Sequence, residues 1–182
     1  MKKLKIIVAM DKNGVIGHGD KIPWILADDY KQNFVPKTTG CPVIMGRKTA
    51  ETLPSSLKNR TNIVVSSKGY LQINGKFKFF LTNNIWDALF VVANESNGDT
   101  MWCIGGAQIY KEFEKKFTID EYHITYVDGE FESPSGVEEI IFNPNLDSYK
   151  IISETSFKKR PPNPELKDRG NSHDFKVVVY SL

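Results

Sequence analysis

Strand-length apolar runs alternate with segments of helical spacing through the first two thirds of the chain. Runs rich in β-branched and aromatic residues cover residues 4–10, 42–45, 62–65, 77–81 and 101–104. Helical periodicity is found over residues 26–34, 47–53, 85–93 and 107–117. Several of the apolar runs have no polar face, which is typical of strands in a sheet covered by helices on both faces. The alternation therefore predicts a doubly wound α/β fold.

The last third of the chain contains only strand-like segments, at residues 122–127, 149–153 and 175–180. We therefore expect a central, mostly parallel mixed sheet of about eight strands that ends in an antiparallel C-terminal hairpin. Pro36 and Pro54 are expected to end the first two helices. Residues 128–139 and 157–171 are predicted to be exposed excursions, the second of them a hairpin loop or lid.

Length and composition limit the possible classes of protein. The 182 residues correspond to about one domain, residues 1–182. Twenty-four Lys and Arg against 22 Asp and Glu are interleaved along the chain, which argues against a nucleic-acid-binding protein. Cys41 and Cys103 lie in or beside apolar runs, as buried free thiols do, and neither is part of a CxxC metal motif. No apolar run approaches the ~18 residues of a membrane span, so we expect a cytoplasmic protein.

Three connections between predicted strands and helices have the features of ligand-binding loops. The glycine-rich segment 14–24 is longer than an ordinary βα connection and follows the carboxyl end of the first strand, where α/β sheets bind ligands. Gly46-Arg47-Lys48 and Gly105-Gly106 each lie between a buried strand and a helix, whose first amides favour an anion. Alone, the turn at Gly46-Arg47-Lys48 is more often a solvated helix start than a phosphate site. Together the two suit the pyrophosphate of a dinucleotide.

The motifs occur in the order and near the spacing of a known family. They occupy residues 15–17 with 22–24, 43–49, 57 with 60, 63–67, 104–110, 122–125 and 171–173. On these motifs the chain resembles dihydrofolate reductases over nearly its whole length. The resemblance implies reduction of 7,8-dihydrofolate to tetrahydrofolate with NADPH as cofactor. It also implies a monomer that binds antifolates, without a metal and without nucleic-acid or membrane partners.

By resemblance, Arg47, Lys48 and Thr49 hold the NADPH phosphates, Ser66 and Ser67 contact the 2'-phosphate, and a cis peptide joins Gly105 to Gly106. Gln108 stands where many family members have an arginine for the 2'-phosphate, so the preference for NADPH over NADH rests more on Arg47 and Lys48. The expected cofactor-binding residues are Ala9, Ile16, Gly17, Gly46, Arg47, Lys48, Thr49, Ser66, Ser67, Ile104, Gly105, Gly106, Ala107, Gln108, Ile109 and Tyr110.

The substrate-binding residues are likewise implied by the resemblance. Arg60 supplies the planar fork that matches the glutamate carboxylate of folate. Leu26, Phe34, Leu53 and Leu57 form apolar walls around the aminobenzoyl group, and Tyr110 lies near the nicotinamide. The full expected set is Val8, Ala9, Ile22, Leu26, Asp29, Tyr30, Phe34, Leu53, Leu57, Arg60, Ile104, Tyr110 and Thr125, and Asp29, Trp24 and Thr125 are the candidate catalytic residues.

The acid that binds the pterin is ambiguous by one residue. Counting from Trp24 by the shorter family spacing selects Asp29, but the residue four positions later is Asn33 instead of an aromatic. The longer spacing places Phe34 correctly and selects Tyr30, which has no carboxylate. A π-bulge between Asp29 and Phe34 would reconcile the two counts. We expect the acid to be Asp29, with Asp28 as the alternative.

Two other functions remain open at this point. A riboflavin-pathway pyrimidine reductase would share the sheet and the NADPH site, but it would not need Arg60 or the Pro-Trp loop. A non-catalytic protein on the same scaffold is supported only by the irregular spacing at Asp29. The three histidines, His18, His123 and His173, show no metal-ligand spacing and no paired nucleophile.

Overall fold

The computed structural model describes residues 2–69, 78–95 and 98–182. The strands found there are β1 Lys3–Met10, β2 Val15–His18, β3 Pro42–Gly46, β4 Thr61–Val65, β5 Phe80–Thr82, β6 Thr100–Gly105, β7 Glu121–Val127, β8 Glu139–Ile141, β9 Lys150–Phe157 and β10 Phe175–Ser181. The helices are α1 Val35–Thr38, α2 Arg47–Thr52, α3 Ile85–Glu95 and α4 Ala107–Lys116, with a π-helical segment at Asp29–Phe34. Every strand predicted from the sequence is present, although Phe77 of the predicted strand 77–81 lies outside the described residues.

The chain divides into two compact units. The first comprises Met1–Ile7 and Thr38–Asp120, and the second comprises Val8–Lys37 and Glu121–Leu182. Strand β1 contributes residues to both, and eight strands belong to one mixed sheet. The prediction of a mostly parallel sheet of about eight strands is confirmed, whereas the prediction of one cooperative domain stays a prediction.

The first unit contains the parallel strands, in the order β5-β4-β3-β6-β1. Val43, Ile44 and Met45 of β3 are completely buried. Because consecutive side chains of a strand point to opposite faces, β3 is covered on both. This double burial explains the continuous apolar runs in the sequence. Helix α3 packs on β4 and helix α4 packs on β6.

The second unit contains the antiparallel strands, in which β10 lies between β7 and β9. This arrangement confirms the predicted antiparallel ending, and the chain between β9 and β10 forms the predicted hairpin loop. A cluster of buried side chains includes Trp24, Leu26, Val127 and Phe175. Trp24 makes an edge contact with the ring of Phe131, with centroids 4.9 Å apart. This packing fixes the chain just before the helix at residues 27–38.

Two short strands of the structure were not predicted from the sequence. Within segment 14–24, predicted to be a loop, Val15–His18 forms β2, which pairs antiparallel with β8 at Glu139–Ile141, the end of the predicted excursion 128–139. Strand β2 has only four residues and includes Gly17, a residue that disfavours strands, so no periodic signal marks it. His18 secures this region through a 3.0 Å hydrogen bond between its Nε2 and the carbonyl oxygen of Phe131.

The expectation that Pro36 ends the first helix is wrong, because α1 continues through it to Thr38. The preceding turn is π-helical, and the amide of Val35 donates to the carbonyl oxygen of Tyr30, five residues earlier. A proline normally breaks a helix by removing a bond to the fourth residue back and by crowding that carbonyl. The wide turn already interrupts this regular pattern, so Pro36 costs little here. Within the described ranges, no helix is long and apolar enough to cross a membrane.

Candidate active site

Asp29 is half-buried and contacts two buried polar side chains of the second unit. Its Oδ1 atom accepts a 2.6 Å hydrogen bond from the Thr125 hydroxyl and a 2.9 Å bond from the Asn33 amide. Thr125 on β7 is 1 % exposed and Asn33 is 3 % exposed. Asn33 also lies 3.3 Å from the Thr125 hydroxyl oxygen, so the three side chains contact one another. Both donors bind one carboxylate oxygen, and no other described residue donates to the second, Oδ2.

Burial dominates the electrostatics of Asp29. It raises the pKa of this carboxyl above the ordinary aspartate value, because a low-dielectric environment disfavours the charged form. The hydrogen bonds from Thr125 and Asn33 and the nearby charge of Lys37 oppose this shift only in part. A carboxyl group with these properties can bind a ligand's paired hydrogen-bond donors or hold a proton.

The π-helical segment Asp29–Phe34 resolves the spacing problem found in the sequence. This turn contains one residue more than an α-helical turn, so the predicted π-bulge between Asp29 and Phe34 is confirmed. Asn33, four residues after Asp29, lies on the same side of the turn and reaches its carboxylate. Asn33 was not among the expected site residues, because the family pattern has an aromatic residue at that position. The four-residue spacing from an acid was the available signal.

Asp28, the alternative acid, has a different environment. Arg160 donates from Nε to Asp28 Oδ2 at 2.7 Å and from Nη2 to Oδ1 at 2.5 Å. The Asn171 amide donates to the same carboxylate at 2.7 Å. The Arg160 hydrogen bonds lower the pKa of Asp28 below its ordinary value. Asp28 is therefore an ionised partner in an internal ion pair.

The other expected residues of the second unit differ in burial. Trp24 and Leu26 are buried, and half-buried Ala9 packs against their cluster. Tyr30, 53 % exposed, stacks on Phe34 with centroids 5.8 Å apart. The remaining expected site residues of this unit are buried Val8 and Gly17, half-buried Ile16 and exposed Ile22.

Two turns in the first unit lie side by side. Gly46 precedes α2 and Gly106 precedes α4, and neither helix has a side-chain cap at its first amides. A Cβ atom at Gly46 would lie 3.0 Å from Ile109, and one at Gly106 would lie 3.4 Å from the Thr49 hydroxyl. The two glycines therefore allow the turns to pack closely against Ile109 and Thr49. The expected cis peptide joins Gly105 to Gly106.

The side chains around these turns are partly engaged within the protein. Arg47 Nη1 donates to both carboxylate oxygens of Glu51, at 2.9 and 2.7 Å. Tyr110 is buried and donates its hydroxyl proton to the Ile7 carbonyl oxygen at 2.8 Å, and burial raises its pKa. The remaining expected cofactor-binding residues here are buried Ser66 and Ile109, half-buried Ile104 and Ala107, and exposed Lys48, Ser67 and Gln108.

Arg60 is held in a fixed plane in the first unit. Its Nε donates to Thr38 Oγ1 at 2.8 Å, Nη2 to Thr39 Oγ1 at 3.1 Å, and Nη1 to the Lys58 carbonyl oxygen at 2.8 Å. Asn62, 4 % exposed, fixes the surrounding loop through bonds to Leu57 and Arg60 main-chain atoms. Leu53 and Leu57 are half-buried nearby in the sequence. Asn62 was not among the residues expected from the sequence to belong to the site.

A family model, curated relatives and a solved structure all indicate the same family. A family model described as dihydrofolate reductase matches residues 3–181. The chain is 32 % identical over 190 residues to dihydrofolate reductase of Sus scrofa, covering 97 % of both chains. It is 35 % identical over 143 residues to dihydrofolate reductase type 8 of Escherichia coli, covering 76 % of this chain and 82 % of the relative. A solved dihydrofolate reductase from Enterococcus faecalis, complexed with NADP(H) and RAB-propyl, has the same fold, with a TM-score of 0.73, 23 % identity and coverage of 98 % and 95 %.

The opposite environments of Asp28 and Asp29 predict opposite effects of pH on stability. The raised pKa of Asp29 contributes stability that is fully present below the unfolded value and is lost as the pH rises through the folded value. Asp29→Asn should therefore raise the thermal unfolding midpoint at pH 7, and the gain should disappear in acid. The lowered pKa of Asp28 stabilises the protein above its unfolded value, so Asp28→Asn should lower the midpoint at pH 7.

Circular dichroism melting curves of the two variants between pH 7 and pH 3 measure both effects, and each variant serves as the control for the other. An Asp29→Asn protein that is less stable than wild type at pH 7 would contradict the assignment of a buried, charge-disfavouring site to Asp29.

Proposed function

Because this chain belongs to the dihydrofolate reductase family, and thus reduces dihydrofolate to tetrahydrofolate with NADPH, we propose that Asp29 is the carboxylate that binds the pterin. The observation that carries this proposal is the half-buried carboxyl with both internal donors on Oδ1. The 2-amino group and N3 of a pterin form an edge of two donors, which a single carboxylate accepts. Thr125 and Asn33 hold the carboxylate plane at a fixed angle for that edge.

The role of the protein in this mechanism is mainly to position its ligands. NADPH, when bound, supplies the hydride for C6 of the pterin. Asp29 orients the pterin ring and raises the basicity of N5 indirectly, while water reached through the loop between Met10 and Trp24 delivers the proton to N5. Orienting the bound reactants would lower the barrier by several kcal/mol. Buried Trp24 supports the chain that leads into this helix.

The residues of the first unit fit the phosphates of NADPH. The adjacent turns at Gly46 and Gly106 are closely packed, since a Cβ atom would meet Ile109 or Thr49, and the two helices that follow have no side-chain cap at their first amides. We propose that Arg47, Lys48 and Thr49 hold the phosphates there, with Ser66 and Ser67 at the 2'-phosphate. The Arg47 guanidinium would then contact both the Glu51 carboxylate and a phosphate of the ligand.

Arg60 is the proposed partner of the folate glutamate carboxylate. The two threonines and the Lys58 carbonyl fix its guanidinium plane, which reduces the entropy cost of binding a planar carboxylate. The half-buried apolar side chains Phe34, Leu53 and Leu57 remain the proposed contacts of the aminobenzoyl group.

Family membership leaves the pyrimidine reductase without support, and the π-helical turn removes the irregular spacing that supported a non-catalytic scaffold. A monomeric state, a cytoplasmic location and antifolate binding at Asp29 are further proposals that rest on the family. The preference for NADPH over NADH stays a prediction that depends on Arg47 and Lys48.

Replacing Asp29 should abolish most of the turnover. Asp29→Asn is expected to fold and to lose about 100-fold or more in kcat at neutral pH, because an amide lacks the charge and the second acceptor oxygen that the pterin edge requires. Asp28→Asn should keep most of its kcat. Loss of absorbance at 340 nm with NADPH and dihydrofolate measures both variants, with methotrexate as the inhibitor control. Loss of kcat in Asp28→Asn but not in Asp29→Asn would overturn the assignment.

Arg60→Leu should weaken dihydrofolate binding by roughly 10- to 100-fold, because it removes charge-assisted, planar hydrogen bonds. NADPH affinity should not change, and dihydropteroate, which lacks the glutamate, should bind both enzymes equally well. Lys58→Leu, a matched loss of charge at an exposed neighbouring residue, is the control. Fluorescence titration gives all of these affinities. Equal losses for folate and NADPH would contradict the proposed role of Arg60.

A further inference from the structure

A chain of four alternating charges joins the hairpin loop between β9 and β10 to the helix that carries Asp29. Arg160 binds Asp28, and its Nη1 and Nη2 atoms also donate to Asp168 at 3.2 and 3.1 Å. Lys31 completes the chain with a 2.6 Å bond to Asp168. The carboxylates of Asp28 and Asp168 are 15 % and 11 % exposed, so these contacts are shielded better than ordinary surface pairs.

Main-chain hydrogen bonds join the same two segments. The Ala27 amide donates to the Gly170 carbonyl oxygen at 2.9 Å, and the Asp28 amide donates to Asn171 Oδ1 at 3.1 Å. These are two of the first helix amides, which have no acceptor within the helix itself. Ser172 and Ile25 exchange two further bonds, of 2.7 and 3.0 Å. Residues 170–172 therefore cap this helix with acceptors from another part of the chain.

The loop that supplies these groups is itself ordered by internal bonds. Arg160 and Asn171 exchange two main-chain bonds of 3.1 and 2.9 Å, and Asn163 and Asp168 exchange two of 2.8 and 2.9 Å. Gly170 has a φ of +70°, and a Cβ atom there would lie 2.5 Å from the Arg160 carbonyl oxygen. Only glycine fits this position. The loop is thus held closed by paired main-chain hydrogen bonds, and the Arg160 side chain extends from it toward the helix.

The helix needs such an external support at this end. A π-helical turn is rare and less favourable than an α-helical one, and the charge chain attaches at Asp28, directly before the π-helical segment begins. A change of one residue in helical register rotates the side chains by about 100° around the axis. That rotation would remove Asp29 from Thr125. Holding Asp28 toward Arg160 keeps its neighbour Asp29 in reach of β7.

We propose that Arg160 is a positioning residue for the reaction, and that the loop at residues 158–171 is a clamp on the substrate-binding helix. This inference rests on the proposed role of Asp29 in binding the pterin. The clamp maintains the fraction of molecules whose Asp29 is in place. Dihydrofolate binds only that fraction, so loosening the clamp weakens its apparent affinity in proportion.

The central test compares Arg160→Leu with Arg169→Leu. Arg169 is exposed on the same loop and makes no hydrogen bond or ion pair within residues 98–182, so its replacement is a matched loss of charge. Arg160→Leu should raise the KM for dihydrofolate about tenfold, equivalent to a competent fraction of about one tenth, with kcat nearly unchanged. NADPH affinity should stay the same. Hydrogen exchange should accelerate in the peptide spanning residues 25–35 and not in β3.

Two further variants separate positioning from general stability. Arg160→Lys keeps the charge but not the fork, and it should recover part of the KM. In a double-mutant cycle, Arg160→Leu combined with Asp28→Asn should cost little more than either change alone, because both remove the same contact. Additive effects would mean that Arg160 acts independently of Asp28 and would overturn the proposal.

Asp29→Asn, measured in parallel, distinguishes failure of the clamp from failure of the proposed function. If Asp29→Asn loses kcat while Arg160→Leu and Arg169→Leu share the wild-type KM, the clamp is refuted and the role of Asp29 remains supported. If Asp29→Asn keeps its kcat, the role of Asp29 is refuted, and the clamp proposal fails with it. A lower unfolding midpoint in Arg160→Leu without a change in KM would assign Arg160 to stability alone and would also refute the clamp.

Discussion

The hydrogen bonds from Thr125 and Asn33 to one oxygen of Asp29 hold a carboxyl group where burial disfavours its charge. The bond from Thr125 connects the helix to strand β7, so the position of this strand determines where the carboxyl lies. The helix reaches this geometry only with an additional residue in its turn. The burial that disfavours the charged form of Asp29 therefore belongs to its proposed role in binding the pterin. Such perturbed groups are common where a side chain must change protonation or bind paired donors.

The first unit contains two strand-to-helix turns of the same kind. At Gly46 and at Gly106 a buried parallel strand ends at a glycine, and a helix begins without a side-chain cap. Those helix amides favour an anion for the same reason in both places. The second unit instead relies on particular side chains, whose partners are far apart in the sequence. Family membership fixes the activity, and the residue assignments above explain how this chain would perform it.

The sequence predicted the features that depend on local patterns. Continuous burial of β3 produces an apolar run, and two inconsistent counts around Asp29 and Phe34 correctly indicated a π-bulge. Strands β2 and β8 were not predicted because four and three residues are too few to show periodicity, and β2 also contains a glycine. Arg160 was not predicted because its partner Asp28 is 132 residues away, and no spacing rule connects an isolated arginine to so distant an acid.

The most direct test of the account is the protonation of Asp29 itself. Carbon-13 NMR of protein labelled at the aspartate carboxyl carbons, with Asp29→Asn identifying the resonance, follows this group through a pH titration. The account predicts that Asp29 titrates above the ordinary aspartate value of 3.8 and above Asp28 in the same sample. An Asp29 resonance that titrates at or below that value would show that the carboxyl is not held in a buried site, and it would contradict the account.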